Sequence, residues 1–250
     1  MVSPIGYGFG DGGDGVDCGG RRVKENLTEN REPIENIVME FYKNIKDDEN
    51  HRFKSWEHCF DFFKSVPTDI DLACLHLGFY LASWGMYRGS SFLLQKDYKI
   101  HKTAVCEVLK SEYDVLRGIE LQCFNDEKIN ILFGLIGRLN TIYQNIKKSV
   151  ETKNNDRDTT DTLITKILLG TLGCIPAYDR FFINGIRQFD GLSYSTLNET
   201  NFRKLLNWCD ENKDEIQEIS EKIKYPPMKI VDMYFWSMGA KFDIDKKEQK

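Results

Sequence analysis

The sequence is short of the features that name a function outright. It has seven cysteines, an odd number, with no C-x-x-C pair. That argues against a disulfide framework and a cysteine zinc site, and points to a reducing, cytoplasmic setting. Its four histidines never fall at H-x-x-x-H or H-E-x-x-H spacing, so neither a bound metal nor any other cofactor is expected. Positive charge is not in excess: 34 Lys/Arg face 39 Asp/Glu, for a net −5. This excludes a surface coated with phosphate-binding charge but leaves room for a local basic groove. Residues 1–22 lack the apolar core of a signal peptide. The longest apolar stretch, Leu72 to Leu94, is interrupted by His76, Arg88 and glycines, so no membrane partner is expected. Prolines number six, and no segment alternates with period two for long enough to build a sheet.

Glycine is abundant only at the start. Residues 1–20 hold eight of the nineteen, with little that could pack, and residues 1–30 read as a disordered tail. Gly8, Gly10 and Gly13 match G-x-G-x-x-G, but no strand precedes them and no helix follows, as a dinucleotide site requires. Residues 12–17 match one G-G-x-G-x-D calcium repeat, where a β-helix needs several stacked copies.

From Pro33 onward the period is helical. Ile34, Ile37, Val38, Phe41, Tyr42 and Ile45 mark a first helix, and Trp56, Cys59, Phe60 and Phe63 a second, ending before Pro67. Thr68 or Asp69 caps a third, running to about Tyr87 and apolar nearly all round, as a central helix would be. Further helices are expected over about 99–117, 126–150, 160–170, 178–188 and 199–223, with a last one opening at Pro226–Pro227. The polar run 151–160 is the best internal linker. The fold class is therefore all-α: one multi-helix domain over 31–243, of about nine to ten helices, with room for two lobes (31–150 and 158–243) around a cleft. A charged tail over 244–250 follows.

Two faces of the third helix draw notice. Cys74, Gly78, Ala82 and Gly85 form a stripe of small residues that another element can approach closely. His76, Tyr80, Ser83 and Tyr87 form a polar row, followed by Arg88 and Ser90. Such a row either lines a pocket for a planar ligand or satisfies itself inside a helical core.

The most specific stretch is CIPAYDRFF, residues 174–182, where Asp179 sits at a helix mouth among residues that belong inside. There an aspartate caps free N–H groups and favours the helix dipole, with Arg180 or Arg187 as a partner. With its flanks, TLITKILLGTLGCIPAYDRFFINGIR (162–187) resembles the C-terminal half of the helix-hairpin-helix DNA glycosylase superfamily, and more closely uncharacterised helical families that share its fold. PPMKIVDMYFW (226–236) is similar to the terminal helix of those relatives, and the segment from Ser55 to about Gln95 resembles a bacterial family without assigned activity.

The resemblance implies that Asp179, the candidate catalytic residue, stabilises the sugar cation as a nucleobase leaves and can activate the attacking group. A flipped base would stack on Tyr80, Tyr87 or Trp84. His76, Tyr80, Tyr87, Arg88, Ser90, Tyr178 and Arg180 are the candidate ligand-binding residues. DNA or a nucleobase is the partner this implies.

The chain departs from that pattern. Its hairpin position, RDTTDTLITK, carries no glycine for phosphate binding, and Lys166 lies too near Asp179 in sequence to match the lysine nucleophile. Residues 126–190 carry nine basic against eight acidic side chains, a net +1, which is little for a DNA-binding face. Two functions follow. One is a non-catalytic domain of this fold that binds a partner or a planar small ligand in a cleft. The alternative is a base-excision enzyme with Asp179 as its essential carboxylate.

Overall fold

A computed structural model describes residues 32–89, 91–150, 161–192 and 196–248. Helices α1 (Ile34–Asp47), α2 (Lys54–Lys64) and α3 (Ile70–Ser83) open the chain, and a short α4 (Lys102–Val108) and a long α5 (Asp126–Val150) follow. Next come α6 (Asp161–Thr171), α7 (Arg180–Ile186), α8 (Glu199–Glu211), α9 (Lys213–Ile223) and α10 (Pro227–Glu248). Three short 3-10 turns lie between α3 and α5, and there is no strand among the described residues. The all-α expectation is met. The described residues from Pro33 onward cluster as one compact unit. The expected tail over 1–30, the linker 151–160 and Ser90 fall outside the described residues.

The helix at the centre is not the one the sequence suggests. Leu163 through Thr171 of α6 are buried without interruption. Thr165 and Thr171 turn their hydroxyls back to carbonyls one turn earlier, at 2.7 and 2.8 Å, which lets polar side chains sit in an apolar setting. By contrast, α3 leaves Leu72, Leu75 and Phe79 exposed along one side. Its apolar residues outnumber the places available to bury them. The stripe of small residues does serve close packing at Gly78, where an added Cβ would come within 2.7 Å of Tyr98 Cβ. Gly85 has left the helix.

Other boundaries also shift. Helix α3 stops at Ser83, because Gly85 takes φ +76 and the chain turns away. The helix expected over 99–117 is a 3-10 turn, then α4, then a second 3-10 turn, with Lys110 extended between the last two. The charged helix expected over 199–223 breaks at Asn212 into α8 and α9. Helix α10 runs on to Glu248, where a tail was expected from 244.

Helices α7 and α10 meet backbone to backbone. A Cβ on Gly185 would lie 1.9 Å from the Phe235 carbonyl oxygen, and one on Gly239 1.8 Å from that of Phe181. Only glycine permits this approach at either position. It brings Phe181 and Trp236 edge to face, with ring centres 5.1 Å apart.

Candidate functional site

The chain from α6 to α7 folds back on itself. Gly173, at φ +65, ends the turn after α6, and residues 174–178 run back beside that helix. Two threonines fasten the returning segment. Thr165 Oγ1 accepts from the Tyr178 backbone N–H at 2.9 Å, and Thr162 Oγ1 donates to the Tyr178 carbonyl at 2.8 Å. Asp179 then caps α7, its Oδ1 accepting from Phe181 N at 3.0 Å and Phe182 N at 3.1 Å. The turn-into-helix geometry expected of CIPAYDRFF is what the structure shows.

This reversal carries Asp179 back to Lys166. Their nearest charged atoms are 3.4 Å apart, and Lys166 also donates to the Trp84 carbonyl at 3.1 Å. The ammonium lies 5.4 Å from the centre of the Trp84 ring. Burial pulls the Lys166 amine below its ordinary value, and the nearby Asp179 charge only partly offsets it.

Both side chains line a cavity of about 370 Å³. Its wall includes the rings of Phe53, Trp84, Phe181 and Trp236. Phe53 stacks on Trp84 at 4.2 Å, and Trp236 meets both edge-on. Four cations line it as well: Arg52, Arg88, Lys166 and Arg180, with Asp179 as the one carboxylate. Arg52 lies over the Phe53 ring at 4.7 Å and Arg180 over the Phe181 ring at 4.6 Å. Arg180 reaches Asp243 at 3.2 Å, while Arg52 and Arg88 have no ion-pair partner among the described residues. The indole N–H of Trp84 is buried without a hydrogen-bond partner.

Behind the wall lies a second lysine–aspartate pair. Lys229 donates to Asp232 at 2.8 Å, and the other Asp232 oxygen accepts from the Ala177 N–H at 2.9 Å. Both side chains are sealed from solvent, and burial raises the Asp232 carboxyl above its ordinary value against the pull of Lys229. The Asp232 bond therefore pins the segment that presents Asp179.

Of the candidates from sequence, the structure brings Asp179, Arg88 and Arg180 to one cavity, together with Ser83 and Trp84. Among the described residues, it does not bring His76, Tyr80, Tyr87 or Tyr178 there. His76 stacks on Phe62 at 4.1 Å and is absent from the wall. Tyr80 is sealed in the core, its ring against Gly170. The Tyr87 hydroxyl bonds His101 Nε2 at 2.7 Å, and His101 Nδ1 bonds the Tyr143 hydroxyl at 2.7 Å. Tyr178 is buried and packs on Phe182. The expected polar row is thus broken up: the helix that would carry it through Tyr87 ends at Ser83, Tyr80 is buried, His76 and Tyr87 are half-buried in contacts of their own, and Ser83 alone of the row lines the cavity. Sequence reasoning missed Arg52, Phe53, Phe181 and Trp236 as wall residues and set Lys166 aside. A lone lysine amid the apolar run of α6 was the available signal.

No family model, curated protein or solved structure matches the chain. Among the described residues there is no cluster of side chains suited to a metal ion, and no helix long and apolar enough to cross a membrane.

Proposed function

We propose that the chain is a helical domain of glycosylase-like fold that holds a small planar anion, without transforming it, in the cavity beside Trp84. One observation carries this reading: four cationic side chains gather on the wall against one carboxylate. That carboxylate already accepts two backbone N–H groups and faces Lys166, so it does not balance Arg52 and Arg88. The aromatic walls suit a flat ligand, and the orphan indole N–H of Trp84 is a further donor for an acceptor atom.

The test uses the cavity's own reporters, because Trp84 and Trp236 both line it. Mononucleotides and aromatic carboxylates are titrated against tryptophan fluorescence, with nucleosides as uncharged controls. The charged ligands should quench, the nucleosides should not, and Arg88→Ala should weaken binding about tenfold or more. No quenching by any member of the panel overturns the proposal.

A second reading, a base-excision enzyme, has one observation in its favour: an amine and a carboxylate 3.4 Å apart on an aromatic-lined wall. On that reading Asp179 offsets the positive charge that develops on the sugar as the base leaves. Asp179→Asn should then cut base release from a panel of damaged duplexes by orders of magnitude while the melting temperature barely moves. Absence of base release by the unaltered chain, together with mononucleotide binding, leaves the first reading alone.

A further inference from the structure

A second cavity, of about 400 Å³, shares no wall residue with the first. It opens where the segment after the 3-10 turn Ser111–Leu116 meets the end of α9. Five buried side-chain polar atoms lack a hydrogen-bond partner among the described residues, and three belong to this wall: Arg117 Nε, Glu120 Oε2 and Gln217 Oε1. A buried polar atom without a partner destabilises the fold, so three around one hollow call for a reason.

Two of these side chains are tied down elsewhere. Arg117 donates through Nη1 to the Phe63 carbonyl at 2.9 Å and through Nη2 to Asp114 at 3.0 Å. Gln217 donates through Nε2 to Glu221 at 2.9 Å. Their remaining groups are therefore held in place: a cationic N–H donor and an amide acceptor, on the same wall as the anionic acceptor of Glu120. Phe60 and Tyr225 add apolar surface to the same wall.

We propose that this second cavity binds a free α-amino acid. Such a molecule carries both halves of the missing chemistry within a few bonds: a carboxylate to accept from Arg117, and an ammonium to donate to Glu120 and Gln217. An inorganic anion leaves the two orphan acceptors unpaired, and a simple cation leaves the Arg117 N–H unpaired, although Lys64, Lys224 and Glu221 also stand on this wall. An apolar side chain would lie against Phe60 and Tyr225.

The full chain is screened by thermal shift and calorimetry against the free amino acids, and against N-acetyl and C-amide forms of whichever binds best. At least one free amino acid should raise the melting temperature at about 10 mM. Capping either end should weaken binding about tenfold or more, because each cap removes a charge-assisted bond. Glu120→Gln should weaken it similarly, whereas Arg88→Ala, in the first cavity, should leave it unchanged. Gln217→Leu guards against a folding artefact: without amino acid its melting temperature should equal or exceed that of the unaltered chain, while binding falls. The proposal is overturned if no amino acid shifts the melting temperature, or if capped forms bind as well as free ones. It is equally overturned if a crystal soaked in the amino acid shows the three atoms bonded to water alone.

Discussion

Two lysine–aspartate pairs sit beside the same indole. The Lys166 and Lys229 ammonium groups lie 5.4 and 5.1 Å from the centre of the Trp84 ring. Each aspartate also accepts a backbone N–H from the stretch 177–182. There the likeness ends. The Lys229–Asp232 pair closes at 2.8 Å with both side chains sealed, whereas Lys166–Asp179 stays at 3.4 Å and lines a cavity. In each pair burial prevails over attraction for one member, lowering the Lys166 amine and raising the Asp232 carboxyl. Neither pair is thus a cheap source of stability, and apolar residues of similar volume would hold a core at least as well. The sealed pair has a local task, which is to pin Ala177. The open pair spends its burial on a wall that solutes can reach.

The largest effect should come from breaking the sealed pair. Asp232→Ala strands the Lys229 ammonium and removes the partner of the Ala177 N–H, at a cost of about 3–5 kcal/mol in urea or thermal unfolding. Because Asp232 fixes the segment before α7, ligand quenching in the first cavity should fail as well. The double variant Lys229→Met/Asp232→Asn, which leaves no stranded charge, should recover most of the stability. If the single variant loses less than about 1 kcal/mol, solvent reaches the pair and the contrast with Lys166–Asp179 disappears.

The Tyr87–His101–Tyr143 chain sharpens the contrast from another side, as a polar group with every partner and no cavity. Burial lowers the His101 imidazole to about 4. Neutral, it accepts from one tyrosine hydroxyl and donates to the other. Protonated, it donates to both, and one hydroxyl must turn away. The folded value lies below the ordinary value of 6.5, so the unfolded chain takes up the proton first as pH falls. The His101 contribution is therefore complete above that ordinary value and is lost as pH drops through the interval down to about 4. Stability in urea should be about 2 kcal/mol lower at pH 5 than at pH 7, and His101→Gln should flatten that difference. An unchanged slope in the variant would mean that His101 is already solvated.

How much of this could be read from residues alone depended on whether the signal was local. Helix α5 shows its apolar stripe at clear spacing, and its expected bounds match the structure. Asp179 was legible because Pro176 and a turn precede it and an apolar helix follows. The break at Asn212 was not, because both sides are charged and no glycine or proline marks it. Lys166 was set aside as too near Asp179 along the chain. The reversal at Gly173, fastened by Thr162 and Thr165, brings them together for that very reason. Arg52 and Trp236 reach the cavity from distant segments. Trp236 depends on the glycine-to-backbone contact of α7 with α10, which no periodicity announces.

The smallest effect is expected at the open pair itself. Asp179→Asn keeps an oxygen for the Phe181 and Phe182 N–H groups, so the α7 cap survives and stability should fall by less than about 1 kcal/mol. Asp179→Ala, which removes the cap, should cost about 1–2 kcal/mol. The charge is what the asparagine variant removes. Without it, nothing on Asp179 opposes the burial of Lys166, and the amine should titrate lower still, which isotope-edited NMR of the lysine side chains reads directly. The cavity wall also becomes more positive, so mononucleotides should bind at least as tightly as before. An affinity that falls in Asp179→Asn while the fold holds would show that the carboxylate contacts the ligand itself. The open pair would then differ from the sealed one in chemistry and not only in exposure.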